Sequence, residues 1–179
     1  MHFGLERHYA IIRKTFNPGG LAGPGPLAKH FCFWYVLLQQ ANGDRAMLTG
    51  GCHCGAIRYQ AEGEAQHHAL CHCSDCRRCA GAPAVAWIAF ADDAVTVTQG
   101  EPAVYAGSEH GRRHFCIQCG TGLFYTNAAM LPGIIDIQSA TLDDAGAHAP
   151  GAHIQVAERL DYMAHLGDMP EFARYPGME

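Results

Sequence analysis

Cysteine is concentrated in the middle of this chain of 179 residues, and no other feature of the sequence constrains its fold as strongly. Eight of the nine cysteines lie between positions 52 and 119. They form three groups: Cys52-His53-Cys54, Cys71-His72-Cys73-Ser74-Asp75-Cys76 with Cys79 behind it, and Cys116-Ile117-Gln118-Cys119. Thiols at these short spacings are typical of metal ligands, so we expect the fold to gather distant segments around metal ions.

The last of the three groups is predicted to be a zinc knuckle. Cys116 and Cys119 are three residues apart, and Gly120 behind them permits the left-handed backbone that such a tight turn often needs. A knuckle supplies two ligands, whereas structural zinc takes four. Cys52 and Cys54, also flanked by glycine, are expected to supply the other pair across a sheet. Such a site would contribute directly to folding.

The central group decides between two kinds of site. Three ligands from Cys71, Cys73 and Cys76 would leave one position on zinc open for water or substrate, as in catalytic sites. Cys76 and Cys79 are also three residues apart, so a closed site with four cysteines is the alternative. An open site predicts an enzyme, and a closed site predicts a scaffold.

Three interpretations without zinc explain the cysteines less well. Buried free cysteine accounts for one or two residues but not for seven at ligand spacings. A thioredoxin-like redox motif expects a βαβ context that this sequence does not show. Disulfides cannot pair an odd number of cysteines, and the sequence lacks a clear secretion signal. We therefore predict a cytoplasmic protein with about two zinc ions per chain.

Charge divides the chain into two parts. Residues 1–46 hold five basic and two acidic residues, and residues 47–179 hold seven arginines and fifteen acidic residues. The net charges are therefore +3 and −8, which sum to the −5 of the whole chain. The acidic part argues against nucleic-acid binding, and no apolar run approaches the roughly 20 residues of a membrane helix. With 49% hydrophobic residues, the chain can bury a core.

The first 46 residues contain only weak signals of secondary structure. Turn signals stand at 17–20 and 23–26, and one apolar run at 30–38 predicts a short buried strand or helix. A signal peptide is the weaker alternative, because the run starts late and lacks a clean cleavage site. A third hypothesis makes Met47 the natural start. We expect an N-terminal extension over 1–46, which need not belong to the natural protein, and one zinc-binding domain over 47–179.

The second part predicts an all-β fold. Short segments rich in β-branched and alternating residues recur about every ten residues, which favours an antiparallel sheet over βαβ units. The predicted strands are 56–60, 84–91, 94–98, 103–106, 113–116, 123–126, 134–138 and 153–157. One or two helical turns are expected over 160–166.

Several ordered motifs resemble one known family. They are GGCHCGAIRY, CHCSDCRR, GAPAVAW, RRHFCIQCGTGLFY, TLDD and HIQVAERLDY. Over about residues 48–176 the chain resembles the glutathione-dependent formaldehyde-activating family, also called the centromere protein V family. The resemblance implies a mainly β, zinc-stapled β-tent related to a small zinc-binding chaperone of guanine-nucleotide-binding proteins. It implies a structural zinc on four residues, Cys52, Cys54, Cys116 and Cys119. It also implies a second zinc on three residues, Cys71, Cys73 and Cys76.

The family's namesake reaction joins glutathione and formaldehyde into S-hydroxymethylglutathione and is classed with the carbon–sulfur lyases. The resemblance therefore implies a zinc enzyme with a small thiol and a small aldehyde as partners, in which the three-cysteine site is catalytic. The alternative, by analogy with the relatives, is a non-catalytic zinc-stabilised protein-binding module. The carboxylates of glutathione would favour a cationic patch, for which the candidates are Arg77, Arg78, Arg112 and Arg113.

Other polar residues near the cysteines have weaker claims. His53 and His72 each stand between two predicted ligands, so we expect both to be spacers that point away from zinc. The candidates for a catalytic base are the histidines His67, His68, His110 and His114. Asp75 is expected to cap a turn or bond backbone. Asp143 and Asp144 are expected to shape a turn.

Overall fold

The computed structural model describes residues 47–177, which fold into two β-sheets. The smaller sheet has three antiparallel strands in the order β1-β2-β5. The larger sheet has seven strands in the order β10-β3-β4-β9-β8-β7-β6, and all its pairings are antiparallel except that of β10 with β3. The prediction of a mainly β fold is confirmed.

The strands are short, and within residues 47–177 one α-helix interrupts them. The strands are β1 Met47–Gly51, β2 Arg58–Glu62, β3 His67–Cys71, β4 Val85–Ala91, β5 Val95–Gln99, β6 Ala103–Tyr105, β7 Gly111–Phe115, β8 Gly122–Asn127, β9 Leu131–Gln138 and β10 Ala152–Ile154. The helix α1 spans Ser74–Ala80. Turns of 3-10 helix occupy Asp92–Ala94, Ser139–Thr141, Ala145–Ala147, Val156–Glu158, Asp161–Ala164 and Leu166–Asp168.

The two sheets share one apolar core. Tyr59 and Ala61 of β2 pack in the same buried cluster as Phe90 of β4, Leu123 of β8 and Ile137 of β9. In β2 the buried residues alternate with more exposed ones, whereas four successive residues of the central strand β4 are buried, so β4 is covered on both faces. Burying each large side chain stabilises the fold by roughly 1.5–3 kcal/mol relative to exposure. The core therefore fixes how the loops that carry the cysteines face one another.

One glycine lets the smaller sheet reach the end of the larger one. A Cβ at Gly50 would lie 2.3 Å from the Tyr59 hydroxyl and 2.6 Å from the Thr141 carbonyl oxygen. The Tyr59 hydroxyl in turn lies 2.7 Å from Thr141 Oγ1, and its ring meets Phe124 edge-on at 5.0 Å. Any side chain at position 50 would separate these contacts.

Seven of the eight predicted strands correspond to observed strands within a few residues. The strand predicted over 153–157 is wrong in its second half, because β10 ends at Ile154 and Val156–Glu158 is a 3-10 turn. Gln155 between them has φ of +56°, a left-handed conformation that cannot continue a strand. The helical turns expected over 160–166 are found as two 3-10 turns. The predictions for residues 1–46 lie outside the described residues.

The strands β1 and β3 and the helix α1, each of which contains or adjoins cysteines, were not predicted. With seven residues, α1 is too short to show a helical hydrophobic period. Within residues 47–177, no helix is long and apolar enough to span a membrane.

Candidate metal centres and adjoining cavity

Four cysteines from two segments that are distant in the sequence meet at one point, and we call them the first cysteine cluster. Its members are Cys52, Cys54, Cys116 and Cys119. All four sulfur atoms lie within 4.8 Å of one another. Cys54 Sγ lies 3.5 Å from Cys52 Sγ and 3.8 Å from Cys116 Sγ.

Two similar loops hold the first cysteine cluster. In each loop the amide of a glycine bonds the carbonyl of a cysteine: Gly55 to Cys52 at 3.0 Å, and Gly120 to Cys116 at 2.8 Å. Both glycines have φ of +76°, the left-handed conformation predicted for the knuckle. The Ile57 amide also donates to Cys52 Sγ at 3.2 Å. These bonds aim the sulfurs of two distant segments at a common centre.

Three cysteines of the central group form the second cysteine cluster: Cys71, Cys73 and Cys76. Their sulfur atoms also lie within 4.8 Å of one another. Cys71 ends β3, and Cys73 is the N-cap of α1, where its Sγ accepts a hydrogen bond from the Cys76 amide at 3.3 Å. Gly81, in the left-handed conformation, ends the helix. The strand end and the first helical turn thus converge the three thiols without any distant segment.

The spacing within both clusters fits zinc. Sulfur ligands about 2.3 Å from a tetrahedral zinc ion lie about 3.8 Å apart, close to the distances in the first cluster. Both donor sets consist of sulfur alone, which zinc accepts readily. The two groups are therefore able to hold metal ions, and they divide the cysteines as four and three.

The thiols of the first cluster differ in acidity among themselves. Although a backbone hydrogen bond with Ala56 lowers it, the contact with Cys52 raises the pKa of Cys54 to about 11. Hydrogen bonds to Thr121 lower the pKa of Cys119 in the first cluster to about 5.

Burial raises the pKa of Cys71 in the second cluster to about 12, and it also raises the pKa of Cys76. In the second cluster a cation must therefore displace protons that burial holds on the sulfurs.

Arg113 of β7 reaches the second cluster. Its Nη2 lies 3.9 Å from Cys76 Sγ and forms an ion pair with the Asp75 carboxylate on the same helix. The guanidinium also lies 5.0 Å from the ring centroid of Tyr125. Although burial opposes its charge, the contacts with Asp75 and Cys76 raise the pKa of Arg113. The side chain, only 13% exposed, holds a permanent positive charge beside the sulfurs.

A cavity of about 440 Å³ adjoins Arg113. Its walls come from α1, β6, β7, β8, β9 and the knuckle loop, and the lining residues are Cys79, Tyr105, Arg113, His114, Phe115, Gly120, Gly122, Phe124 and Gln138. The volume falls in the range of roughly 300–1,000 Å³ typical of small-molecule sites. Because Arg113 contacts both the cavity and Cys76, the cavity adjoins the second cluster.

Of the four candidate arginines, Arg113 is the one that lines this cavity. Arg77 donates from Nε to the His72 carbonyl at 3.1 Å. Arg112 donates to the backbone carbonyls of its own loop, with distances of 2.9–3.2 Å. Arg78 is exposed on α1. Arg77 and Arg112 thus hold backbone, and neither of them nor Arg78 lines this cavity.

The candidate histidines also differ in their surroundings: three contact other side chains, and His114 lines the cavity. His67 Nε2 lies 3.1 Å from the Asp136 carboxylate, and His68 Nε2 lies 2.9 Å from Ser139 Oγ. His110 lies 3.8 Å from Glu109. His114 lines the cavity, and burial lowers its pKa, so its imidazole is neutral at pH 7.

The two spacer histidines are not members of either cysteine cluster. His53 is exposed, and its amide donates to Thr121 Oγ1 at 3.1 Å. His72 is fully buried, and its Nε2 lies 2.9 Å from His153 Nδ1. Through this contact, and through the bond from the His72 amide to the Ile154 carbonyl, β10 is held against the end of β3.

Cys79 lies one turn beyond Cys76 and is not part of the second cluster. Its Sγ lies 3.9 Å from Asp75 Oδ1 and lines the cavity.

The sequence did not reveal the contact between Asp75 and Arg113, which are 38 residues apart and carry no shared motif. Asp143 lies in a turn, as expected, and also pairs with Arg58, whose Nη1 donates to its Oδ1 at 2.9 Å.

Comparison with known proteins agrees with this arrangement. The family model for the glutathione-dependent formaldehyde-activating enzyme matches residues 47–158, which contain both cysteine clusters. The chain belongs to this family. The resemblance stated from the motifs is therefore confirmed, and the match begins at the Met47 that opens the described residues.

Curated relatives carry related names. A Halomonas elongata protein, named with a provisional qualifier as a glutathione-dependent formaldehyde-activating enzyme, is 27% identical over 65% of this chain and 80% of its own length. An uncharacterized lyase of Schizosaccharomyces pombe is 35% identical over 44% of this chain and 58% of its own length. A crystal structure of a Rhodobacter sphaeroides protein matches with a TM-score of 0.48 at 21% identity, over 59% of this chain and 98% of that chain.

Proposed function

We propose that this chain is a zinc-dependent enzyme of the carbon–sulfur lyase type that joins a thiol, such as glutathione, to formaldehyde or a related small aldehyde. In this reaction the thiol sulfur bonds to the aldehyde carbon, and the thiol proton ends on the former carbonyl oxygen. The single observation that carries the proposal is the group of three converging sulfurs beside a cavity of ligand size. Membership of the family supports it.

The two clusters would have different roles. The first cysteine cluster would hold a structural zinc with all four ligands from the protein. The second would hold a zinc through Cys71, Cys73 and Cys76, which leaves one position for the substrate. When bound there, zinc supplies Lewis-acid stabilisation of a thiolate. Two zinc ions per chain and a cytoplasmic location stay predictions.

The surrounding residues prepare the second site. Three thiolates around a divalent cation leave a net charge of −1, and a substrate thiolate would make it −2. Arg113, 3.9 Å from Cys76 Sγ, offsets part of that charge. Phe124 is buried and lines the cavity, so one wall of the site is apolar. The chain thus offers a charge beside the sulfurs and an apolar wall against which a thiol could pack.

The test is NMR exchange of formaldehyde with glutathione in the presence of the zinc-loaded protein. We expect exchange faster than the uncatalysed rate, and loss of the acceleration in Cys73→Ser. Tyr162→Phe, a change at an exposed position outside the cavity, serves as the control. If wild-type protein with two bound zinc ions gives no acceleration with any thiol, the proposal fails. The non-catalytic protein-binding module would then be the better interpretation.

A further inference from the structure

We propose that the cavity beside the second cysteine cluster selects a thiol with an aromatic or similarly apolar substituent over glutathione. The inference rests on the proposed function and names the substrate class of the same site. The chemical step is unchanged: one carbon–sulfur bond forms, the thiol proton ends on the aldehyde oxygen, and nothing is oxidised or reduced.

The charge of the cavity is the first argument. Of the described side chains that line it, Arg113 alone carries a permanent positive charge. Asp75 already pairs with that guanidinium, which also contacts Cys76 Sγ and the Tyr125 ring. Glutathione carries two carboxylates, and a carboxylate withdrawn from water needs a cation or several donors. The cavity offers neither to two carboxylates at once.

The walls of the cavity are the second argument. Tyr105, Phe115 and Phe124 supply three aromatic side chains around one space. Aromatic rings pack against one another edge-on or offset, and they bury much area with little loss of conformational freedom. An apolar substituent of the thiol would gain from this surface, whereas the charged ends of glutathione would lose hydration.

The side-chain amide of Gln138 places an uncharged polar group in the lining of the cavity. A Cβ at position 122 would lie 2.4 Å from Gln138 Nε2, so glycine there lets the Gln138 amide pass over β8 and line the cavity. An amide offers one acceptor and two donors without charge. The lining therefore suits a ligand with an apolar body and a neutral polar group.

The decisive experiment compares two thiols with the zinc-loaded full chain. The kcat/KM for condensation with formaldehyde is measured for glutathione and for 2-phenylethanethiol, each relative to its own uncatalysed rate. We expect 2-phenylethanethiol to be favoured by about tenfold or more, the size of effect that a complementary apolar pocket gives. Equal acceleration, or a preference for glutathione, would overturn the inference while leaving the proposed function intact.

Variants at Tyr105 test the cavity itself. Tyr105 is 56% exposed on β6, so its replacement should leave the core intact. Tyr105→Ala should reduce the acceleration with 2-phenylethanethiol, and Tyr105→Arg should shift the preference toward glutathione. Val104→Arg adds the same charge at a neighbouring position that is 54% exposed and does not line the cavity. An equal shift in both arginine variants would show that bulk charge, and not the cavity, sets the preference.

A binding measurement with compounds that cannot react distinguishes the proposed function from the proposed preference for an apolar thiol. Saturation-transfer NMR is recorded with methyl phenethyl sulfide and S-methylglutathione, which cannot react. We expect transfer to the phenethyl compound that weakens in Tyr105→Ala. If this binding is seen but no thiol is accelerated, the proposed function fails and the specificity of the cavity stands. If the phenethyl compound does not bind, the inference itself fails.

Discussion

The first and second cysteine clusters use the same ligand chemistry but are built in opposite ways. The first joins two loops whose nearest cysteines, Cys54 and Cys116, are 62 positions apart. The second draws all of its members from six consecutive positions at one strand end and one helical turn. A site assembled from distant segments fixes their arrangement, whereas a local site can change its occupancy without separating the sheets. In the proposed function, stability is assigned to the first cluster and reactivity to the second.

The largest expected effect is on folding. Cys116→Ser should lower the melting temperature severely or prevent folding, because structural zinc contributes roughly 10–16 kcal/mol of apparent binding free energy in small zinc-folded peptides. Cys73→Ser should leave a folded protein, because the core and the first cluster stay intact. Circular dichroism and thermal melting of the two variants check this difference.

The comparison between the clusters has a direct control. Cys79→Ser introduces the same change at a cysteine outside both clusters and should melt like the wild-type protein. If Cys73→Ser unfolds the chain as completely as Cys116→Ser, the division into a structural and a local site is wrong.

The second prediction concerns the number and exchange of zinc ions. Wild-type protein should hold about two zinc ions, one of which a chelator removes first, because three protein ligands leave that ion more accessible. Cys79→Ala should retain both ions, since the Cys79 thiol lies beside Asp75 and outside the second cluster. Metal analysis during timed chelation measures both quantities. Loss of one ion in Cys79→Ala would favour the closed, non-catalytic site.

The sequence showed the three cysteine groups, because cysteine spacing and glycine placement are local signals. The separation of Cys79 from the second cluster came from the family resemblance, since spacing alone left it open. The sequence did not predict what surrounds the second cluster. Asp75 and Arg113 meet only because β7 passes beside α1, and that contact depends on the order of strands in the larger sheet. The strand β10 is a further example, since its parallel pairing with β3 joins segments that share no pattern.

The third prediction concerns Arg113, whose charge lies beside the second cluster alone. Arg113→Met should weaken retention of the more accessible zinc by about 10- to 100-fold, the range seen when groups that support metal ligands are removed. Arg113→Lys should restore part of it, because lysine keeps the charge but not the two-sided contact with Asp75 and Cys76. Competition with a zinc chelator measures retention independently of activity.

A matched control lies at the smaller sheet. Arg58→Met breaks a comparable arginine–aspartate pair, in which the partner is Asp143. It should leave the exchange of the more accessible zinc unchanged. Equal weakening in Arg58→Met and Arg113→Met would mean that general stability, and not a charge beside Cys76, controls the second site.

The smallest expected effect is on the pH dependence of stability. The ion pair of each sheet should lose its contribution in a different pH range, one as the pH rises and the other as it falls. The carboxylate of Asp136 raises the pKa of His67 above its ordinary 6.5, so this pair stabilises β3 against β9 fully below pH 6.5 and less as the pH rises through the raised value. In the smaller sheet, Arg58 lowers the pKa of Asp143 below 3.8, so that pair is fully formed above pH 3.8 and is lost only as the pH falls through the lowered value.

Denaturant unfolding between pH 5 and 8 checks this difference, since both pairs are partly exposed and should each contribute only about 0.2–1 kcal/mol. The free energy of unfolding lost in His67→Gln should shrink as the pH rises across this range, because the charged pair it removes is itself disappearing. The loss in Asp143→Asn should stay constant, because Asp143 is ionised throughout. If the two losses change together with pH, the dependence comes from a group that both sheets share, such as a metal-bound thiol, and the two ion pairs contribute nothing measurable of their own.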